Sequence, residues 1–328
     1  MNKQLHNYDH LASFAVTSPW ALEPEMLAVV VDILTRRLAG EDTHLDVSAL
    51  APPRRDLLTG EQPKGVAVIP MHGVIAPKIS MFSEMSGGTT FQQATQQLRE
   101  AVASKDVGSI VLDWDSPGGN VQGADEFAHE MLKARAVKPV VSQVNYRMCS
   151  AAYWTGACAT EIVASPSGVV GAIGVFSIHD DLSKALEHRG IKRTYLAKGK
   201  FKVDGNETAA LSEDTKAHFL DEMEVPYTKF VNAVAHGRGV SPAAVRSGFG
   251  EGRAVQADKA LELGMVDRIA TLDDTVARLT SPAAAQPALV RADATDVQTP
   301  SEVDTAARIS ERAWRAGVER QLLTLAVS

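Results

Sequence analysis

Between residues 65 and about 270 the apolar positions switch repeatedly between a continuous or period-two pattern and a three-to-four-residue one. "GVAVIP" reads as a buried strand, and "TTFQQATQQLREAVAS" as a helix with Phe91, Ala94, Leu98 and Val102 on one face and Thr90 with Gln93 as a capping box. "GSIVLDWD" is a second strand, "NVQGADEFAHEMLKA" a helix and "KPVVSQV" a third strand. This β-α-β-α-β order predicts parallel strands joined by right-handed crossovers, an α/β core with flanking helices. Downstream, "DDLSKALEHRG" reads as helix and "KRTYLA" as strand. "LSEDTKAHFLDEMEVPYTKFVNAVAHG" reads as a long helix that Pro226 kinks or divides. "QADKALELGMVDRI" closes the unit with a short helix, a turn at Gly264 and a short strand.

The flanks read differently. Pro24 opens a helix in which Met26, Val29, Val30, Ile33 and Leu34 recur at helical spacing until Gly40, and residues 41–64 are polar and proline-containing. Residues 281–300 lose all periodicity and read as a flexible linker, after which Thr299, Pro300 and Glu302 start a last helix running to about Leu323. The pattern therefore predicts an N-terminal helical extension and linker (1–60), a main domain (61–280), and a linker with a C-terminal helix (281–328). There is no internal repeat.

Composition narrows the class of function. With 33 basic and 40 acidic residues the net charge is −7, which argues against a phosphate-binding surface and so against a nucleic-acid partner. Two cysteines are too few for a disulfide framework or a zinc site. No run of about 18 apolar residues occurs and the first residues carry no apolar leader, so neither a membrane span nor a signal peptide is expected.

Two places could carry chemistry. "DSPGGN", Asp115–Asn120, follows a strand and precedes a helix, where ligands bind in open α/β sheets. Its paired glycines either let backbone N–H groups converge on an anion or merely make a tight turn. Ser150, in "MCSAAYW", opens an apolar helix, so its hydroxyl is either a helix cap or a nucleophile beside the Ala151 N–H. Cys149 is the rival nucleophile. A serine needs a base. His179 or His72, oriented by Asp180 or Asp181, would complete a triad; Lys198, Lys200 or Lys202 in "KGKFKVDGN" would complete a dyad. A lysine base must be neutral, and moving its pKa from about 10.4 to 7–8 takes desolvation of roughly 4 kcal/mol.

Taken in register, "DSPGGN", "CSAAYWTGACATEIVASPSGVVGAIGV", "HDDLSKALEHRGIKRTYLAKGKFKVDGN" and "GRAVQADKALELGMVD" resemble the signal peptide peptidase A family of Ser/Lys proteases over residues 65 to about 270. Within it, "FKVDGN" and the leading "PWALEPEMLAVVVDIL" look like the soluble branch from tailed phages and prophages, the capsid assembly proteases of the lambda C-protein type. The resemblance implies a Clp-protease/crotonase-like α/β fold. It puts Ser150 on the nucleophile, Lys202 on the general base, Gly118 and Gly119 on the oxyanion-hole motif and the Ala151 N–H on its second donor. Pro117, Asn120, Lys200, Gly205 and Asn206 fall where substrate would be contacted. One departure is Ala172 in "VGAIG", where many relatives carry a small hydroxyl residue that can help orient the lysine; another group such as Ser167 could substitute.

The implied activity is that of a serine endopeptidase needing no metal or other cofactor. It would process phage scaffold, capsid or portal proteins as a homo-oligomer, in the bacterial host cytoplasm or inside the assembling prohead. Three other readings share the fold class: a signal-peptide-degrading peptidase of the same family, an inactive assembly scaffold that uses the Arg308, Arg312, Arg315 and Arg320 tail, and an acyl-CoA-binding crotonase relative.

Overall fold

Alternation decides which side of each strand is buried, and here both sides are. The computed structural model describes residues 20–22, 65–78 and 88–281. Strands β1 (Trp20–Leu22) and β2 (Gly65–His72) are followed by α1 (Phe91–Ala103), β3 (Val107–Ser116), β4 (Gly118–Asn120) and α2 (Ala124–Arg135). Next come β5 (Val140–Cys149), α3 (Ala151–Gly156), β6 (Glu161–Ala164), β7 (Val169–Gly171) and α4 (Ser183–His188). The order ends with α5 (Glu213–Arg238), α6 (Pro242–Gly248), β8 (Ala254–Gln256), α7 (Ala257–Glu262), β9 (Arg268–Ile269) and α8 (Leu272–Thr280).

The main sheet runs β2-β3-β5-β6-β9 with every neighbour parallel, while β7 pairs parallel with the end of β5 and antiparallel with β8. On β3, Ile110, Leu112 and Trp114 enter the large core with α1, α2, α3 and α5, whereas Val111 joins Val66, Val141 and Val163 on the opposite face. That smaller face is packed by Leu272 and Leu279 of α8. Period-two strands buried on both faces and covered by helices are what parallel sheets require.

The sequence reading holds for the α/β class, the parallel order and the strand and helix types of the first half. Helix α1 starts as expected at Thr90, whose hydroxyl accepts from the Gln93 N–H at 3.1 Å, although the Gln93 side chain meets that hydroxyl rather than the backbone of Thr90. Three readings need correction. "KRTYLA" forms no strand: Tyr195 and Leu196 are exposed and no neighbouring strand among the described residues supplies a ladder. Pro226 does not divide α5, which is continuous; Phe230, Val231, Val234 and Ala235 anchor its second half in the core. Helices α6 and α8 were not anticipated. The expected N-terminal helix from Pro24 and the helix after Thr299 lie outside the described residues.

Helix α5 is tied to the sheet through one buried charge. Arg238, 3 % exposed, donates to both carboxylate oxygens of Asp267 (2.8 and 2.7 Å) and to the Gly264 carbonyl at 3.0 Å. Asp267 also accepts from the Ile162 N–H at 2.9 Å, so the pair joins α5, β6 and the approach to β9. Arg238→Met leaves a carboxylate short of its countercharge and is expected to cost about 3–5 kcal/mol. Thermal unfolding should show a Tm lower by roughly 10 °C, and adding Asp267→Leu should restore much of it.

Candidate active site

The end of β5 is built to change direction. Opposite Trp114 and Asp115 of β3 stand Val144 and Arg147, so Asn145 and Tyr146 are extra residues in β5, and Tyr146 adopts φ 107°. Such a bulge bends a strand and re-aims the residues beyond it. The last residues, Arg147–Cys149, leave β6 and pair with β7 instead. The chain then turns at Ser150 into α3.

Ser150 has φ 55° and ψ −122°, a backbone conformation that non-glycine residues seldom adopt. Its N–H donates to the Gly171 carbonyl at 2.7 Å and its own carbonyl accepts from the Trp154 N–H at 2.8 Å, so the turn is pinned on both sides. The side chain does not cap α3, and the hydroxyl makes no hydrogen bond among the described residues. A helix cap would spend its oxygen on the N2 or N3 N–H. A serine held on a sharp strand-to-helix turn instead offers its oxygen to something else, the geometry used by nucleophilic serines. Cys149 is fully buried beside it, and burial pushes the Cys158 thiol up to about 12, which leaves that thiol inert.

Helix α3 cannot drift. Trp154 stacks on Phe230 at 5.0 Å, the Tyr153 hydroxyl donates to the Met265 carbonyl at 2.9 Å, and Ser142 links the Trp114 indole (3.1 Å) to the Gly156 carbonyl (2.8 Å). The Ala151 N–H is the first of this helix and has no acceptor within it.

The paired glycines lie against this turn. Gly118 has φ 104°, and a β-carbon there would collide with the Ala21 carbonyl oxygen and come within 2.8 Å of the Ser150 β-carbon and 2.9 Å of the Cys149 carbonyl oxygen. Only glycine permits that approach. The Gly118 N–H is already committed, donating to Ser116 Oγ at 3.1 Å, which in turn donates to the Gly73 carbonyl at 2.7 Å. The expectation of two oxyanion donors from the pair is therefore narrowed to Gly119. The Gly118 carbonyl and the Asn120 N–H both bond to Ile75, so the N–H and carbonyl of Gly119 point to the opposite edge of β4. Pro117 sits between β3 and β4. Asn120 is buried; its Oδ1 accepts from the Gln122 N–H at 2.8 Å and its Nδ2 has no partner among the described residues.

Among the described residues none of the candidate bases is hydrogen-bonded to Ser150. His72 Nε2 is 3.3 Å from Asp113 and His179 Nε2 is 3.2 Å from the Asn206 carbonyl. Asp181 holds the Ser183 N–H, and Asp180 is exposed. Lys202 is exposed on a turn, its N–H bonded to the Gly199 carbonyl at 3.2 Å and its ammonium in no hydrogen bond or ion pair among the described residues. Lys198 is likewise exposed, and Lys200 lies 4.6 Å from the Phe201 ring centroid. Gly205 and Asn206 build the turn: Gly205, at φ 69°, packs under Phe219. Asn206 accepts from the N–H and hydroxyl of Thr208 and donates to the Val203 carbonyl at 2.7 Å. Ala172 is adjacent to the Gly171 carbonyl that receives the Ser150 N–H, and itself has φ 50°; Ser167 is exposed on the turn before β7.

Sequence patterning missed β1 and its second neighbour, Phe176. Strand β1 runs antiparallel along the outer edge of β4, with Ala21 opposite Gly119, and Trp20 exchanges both backbone bonds with Phe176. Three residues are too few to show a period; the apolar triplet after Pro19 was the only signal within the chain.

Residues 133–286 match the model of peptidase family S49. The chain is 27 % identical to the capsid assembly protease C of Escherichia phage lambda, covering 84 % of this chain and 66 % of that one. It is 26 % identical to the head-tail preconnector protein GP5 of Enterobacteria phage P21 (82 % and 56 %) and 29 % identical to Protease 4 of Salmonella typhi (80 % and 43 %). The chain thus spans between 43 % and 66 % of the length of these relatives. Among solved structures it is similar to a ClpP1 mutant from Listeria monocytogenes, at 13 % identity and a TM-score of 0.40 over 64 % of this chain and 94 % of that one. Among the described residues no helix is long and apolar enough to cross a membrane. The strand-to-helix turn that carries Ser150 and the exposed turn that carries Lys202 both fall inside the segment that matches peptidase family S49.

Proposed function

We propose that the protein is a serine endopeptidase in which Ser150 is the nucleophile and Lys202 the general base. The observation that carries this is the Ser150 turn: a strained backbone, an uncommitted hydroxyl, and Gly118 packed so closely against it that no side chain fits between them. The Ser150 oxygen adds to a peptide carbonyl while the base takes its proton. The N–H groups of Gly119 and Ala151 receive the oxyanion, a contribution of about 3–4 kcal/mol for one such donor in serine proteases. The leaving amine collects the proton, and water activated by the same base then cleaves the ester. Resemblance to the phage lambda and P21 proteins supports scaffold, capsid or portal protein as substrate, in the bacterial host cell or prohead. Similarity to a putative signal peptide peptidase of Enterococcus faecium supports a leader peptide as the second reading.

In the single chain Lys202 faces water. A lysine accepts a proton only as the free amine, which water disfavours and burial favours. The surrounding segment also exposes Ile191, Tyr195, Phe201 (58 %) and Leu196 (96 %). Assembly into a homo-oligomer would cover these apolar groups and desolvate the lysine, so activity per chain should rise with protein concentration and then level off. Labelling by a serine-reactive acylating probe tests the dyad across wild type, Ser150→Ala, Lys202→Ala and His179→Ala. Labelling lost with Ser150 and with Lys202 but kept without His179 supports it; loss on removing His179 with Lys202 dispensable sinks it.

A further inference from the structure

The outer edge of β4 runs beside the Ser150 turn, with the Ser150 β-carbon packed against Gly118. A substrate read by its backbone would add there as a strand, taking the N–H and carbonyl of Gly119. In this structure that place is taken by the chain itself. Trp20, Ala21 and Leu22 are 1 %, 0 % and 3 % exposed, zipped between β4 on one side and Phe176 on the other. Trp20 gives its N–H to the Phe176 carbonyl at 2.9 Å and accepts from the Phe176 N–H at 3.0 Å, so its polar groups face away from β4. The next residue must face the other way, and Ala21 turns its carbonyl toward Gly119. That carbonyl oxygen and the Ser150 β-carbon both crowd the point where a Gly118 β-carbon would stand.

We propose that Trp20–Leu22 occupies the peptide groove in a substrate's register, with Ala21 as the residue whose carbonyl faces Ser150, so that the chain holds its own active site closed until this strand is displaced or cut. The inference rests on the peptidase reading for its meaning, though the occupancy itself is a matter of geometry. It also specifies the groove. The residue before the cut is small, because Ala21 is fully buried against the glycine pair, and the residue before that is large and apolar, in the place of Trp20. If the strand is cut, Ser150 Oγ bonds to the Ala21 carbonyl carbon and the Ala21–Leu22 C–N bond breaks. The hydroxyl proton passes through the base to the Leu22 amine, and water then splits the ester to free Ser150 and leave a carboxylate on Ala21.

The test uses the full chain with Ala21→Arg, whose side chain has no room beside Gly119. Ala21→Pro, which removes only the N–H facing β4, serves as a milder second variant. Probe labelling of Ser150 should be faster in either variant by at least about tenfold, because a tethered strand competes at millimolar effective concentration. The added peptide SPWALEP, residues 18–24, should slow it again. A wild-type chain that releases a fragment ending at Ala21 supports the proposal equally. Equal labelling of all three forms, with no cut, overturns it. A parallel measurement needs no catalysis: fluorescein-labelled SPWALEP should bind the Ser150→Ala/Ala21→Arg protein and not Ser150→Ala alone, and equal binding or none overturns the proposal. Binding as expected with no labelling of any form would instead count against the peptidase reading and leave the occupied groove standing.

Discussion

Ser150→Ala is expected to lower hydrolysis of a reporter peptide by at least about 10³-fold, the order seen when a serine nucleophile is removed from a working set of groups. The same change should leave the melting temperature almost unmoved. The hydroxyl makes no hydrogen bond among the described residues, so little that stabilises the chain leaves with it. Ser150→Gly should go further and raise stability by about 1 kcal/mol, since a φ of 55° with ψ of −122° is strained for every residue with a β-carbon. A gain in stability together with a loss of hydrolysis in Ser150→Gly would support a role for the serine in chemistry rather than in folding. Lys202→Ala should cost about 10²–10⁴-fold, the usual worth of a positioned general base, again with little change in Tm because the side chain is exposed and unpaired among the described residues. Progress curves and thermal melts on the same samples check both statements. A Ser150→Ala protein that still cuts the peptide at the parent rate would remove Ser150 from the mechanism.

Gly118→Ala should damage both stability and activity. The added β-carbon meets backbone atoms of Ala21 and Cys149 rather than the movable ends of side chains, and the position is held at φ 104°. Left-handed strain costs about 1–2 kcal/mol and overpacking about 1–3 kcal/mol, so a loss of roughly 2–5 kcal/mol in urea unfolding is expected. Relief can come only from moving β1 or the Ser150 turn. If the Ser150 turn moves, probe labelling should fall by about 10²-fold, since a displacement near 1 Å at a reacting group carries that order of loss. Unchanged unfolding and unchanged labelling would mean that the close approach of Gly118 to Ser150 is not needed.

How far the site could be read in advance depended on the range of the interactions involved. Strands such as "GSIVLDWD" and helices such as "TTFQQATQQLREAVAS" announce themselves because burial of one face imposes a period on neighbouring residues. The glycine pair of "DSPGGN" was legible for the same local reason, as was Ser150 at the junction of a strand and an apolar helix. Whether that serine caps the helix was not legible, because the answer lies in a backbone angle set by partners at Gly171 and Trp154 and by two extra residues in β5. "KRTYLA" carries strand propensity but has no neighbour among the described residues to pair with, and a strand is a property of two segments rather than one.

The amino-acid sequence by itself determined the α/β class, the parallel order of the strands, and which serine and which glycines stand at the ends of those strands, since all of these follow from short-range periodicity and turn chemistry. The tertiary structure alone decided that Ser150 is not a cap, that Gly119 rather than Gly118 has the outward-facing N–H, and that Lys202 lies in water in the single chain. It also decided that Trp20–Leu22 fills the edge of β4, almost a hundred residues away along the chain. The physical reason is common to all four: each depends on which distant backbone group satisfies a hydrogen bond or fills a space, and no local pattern of residues encodes that choice.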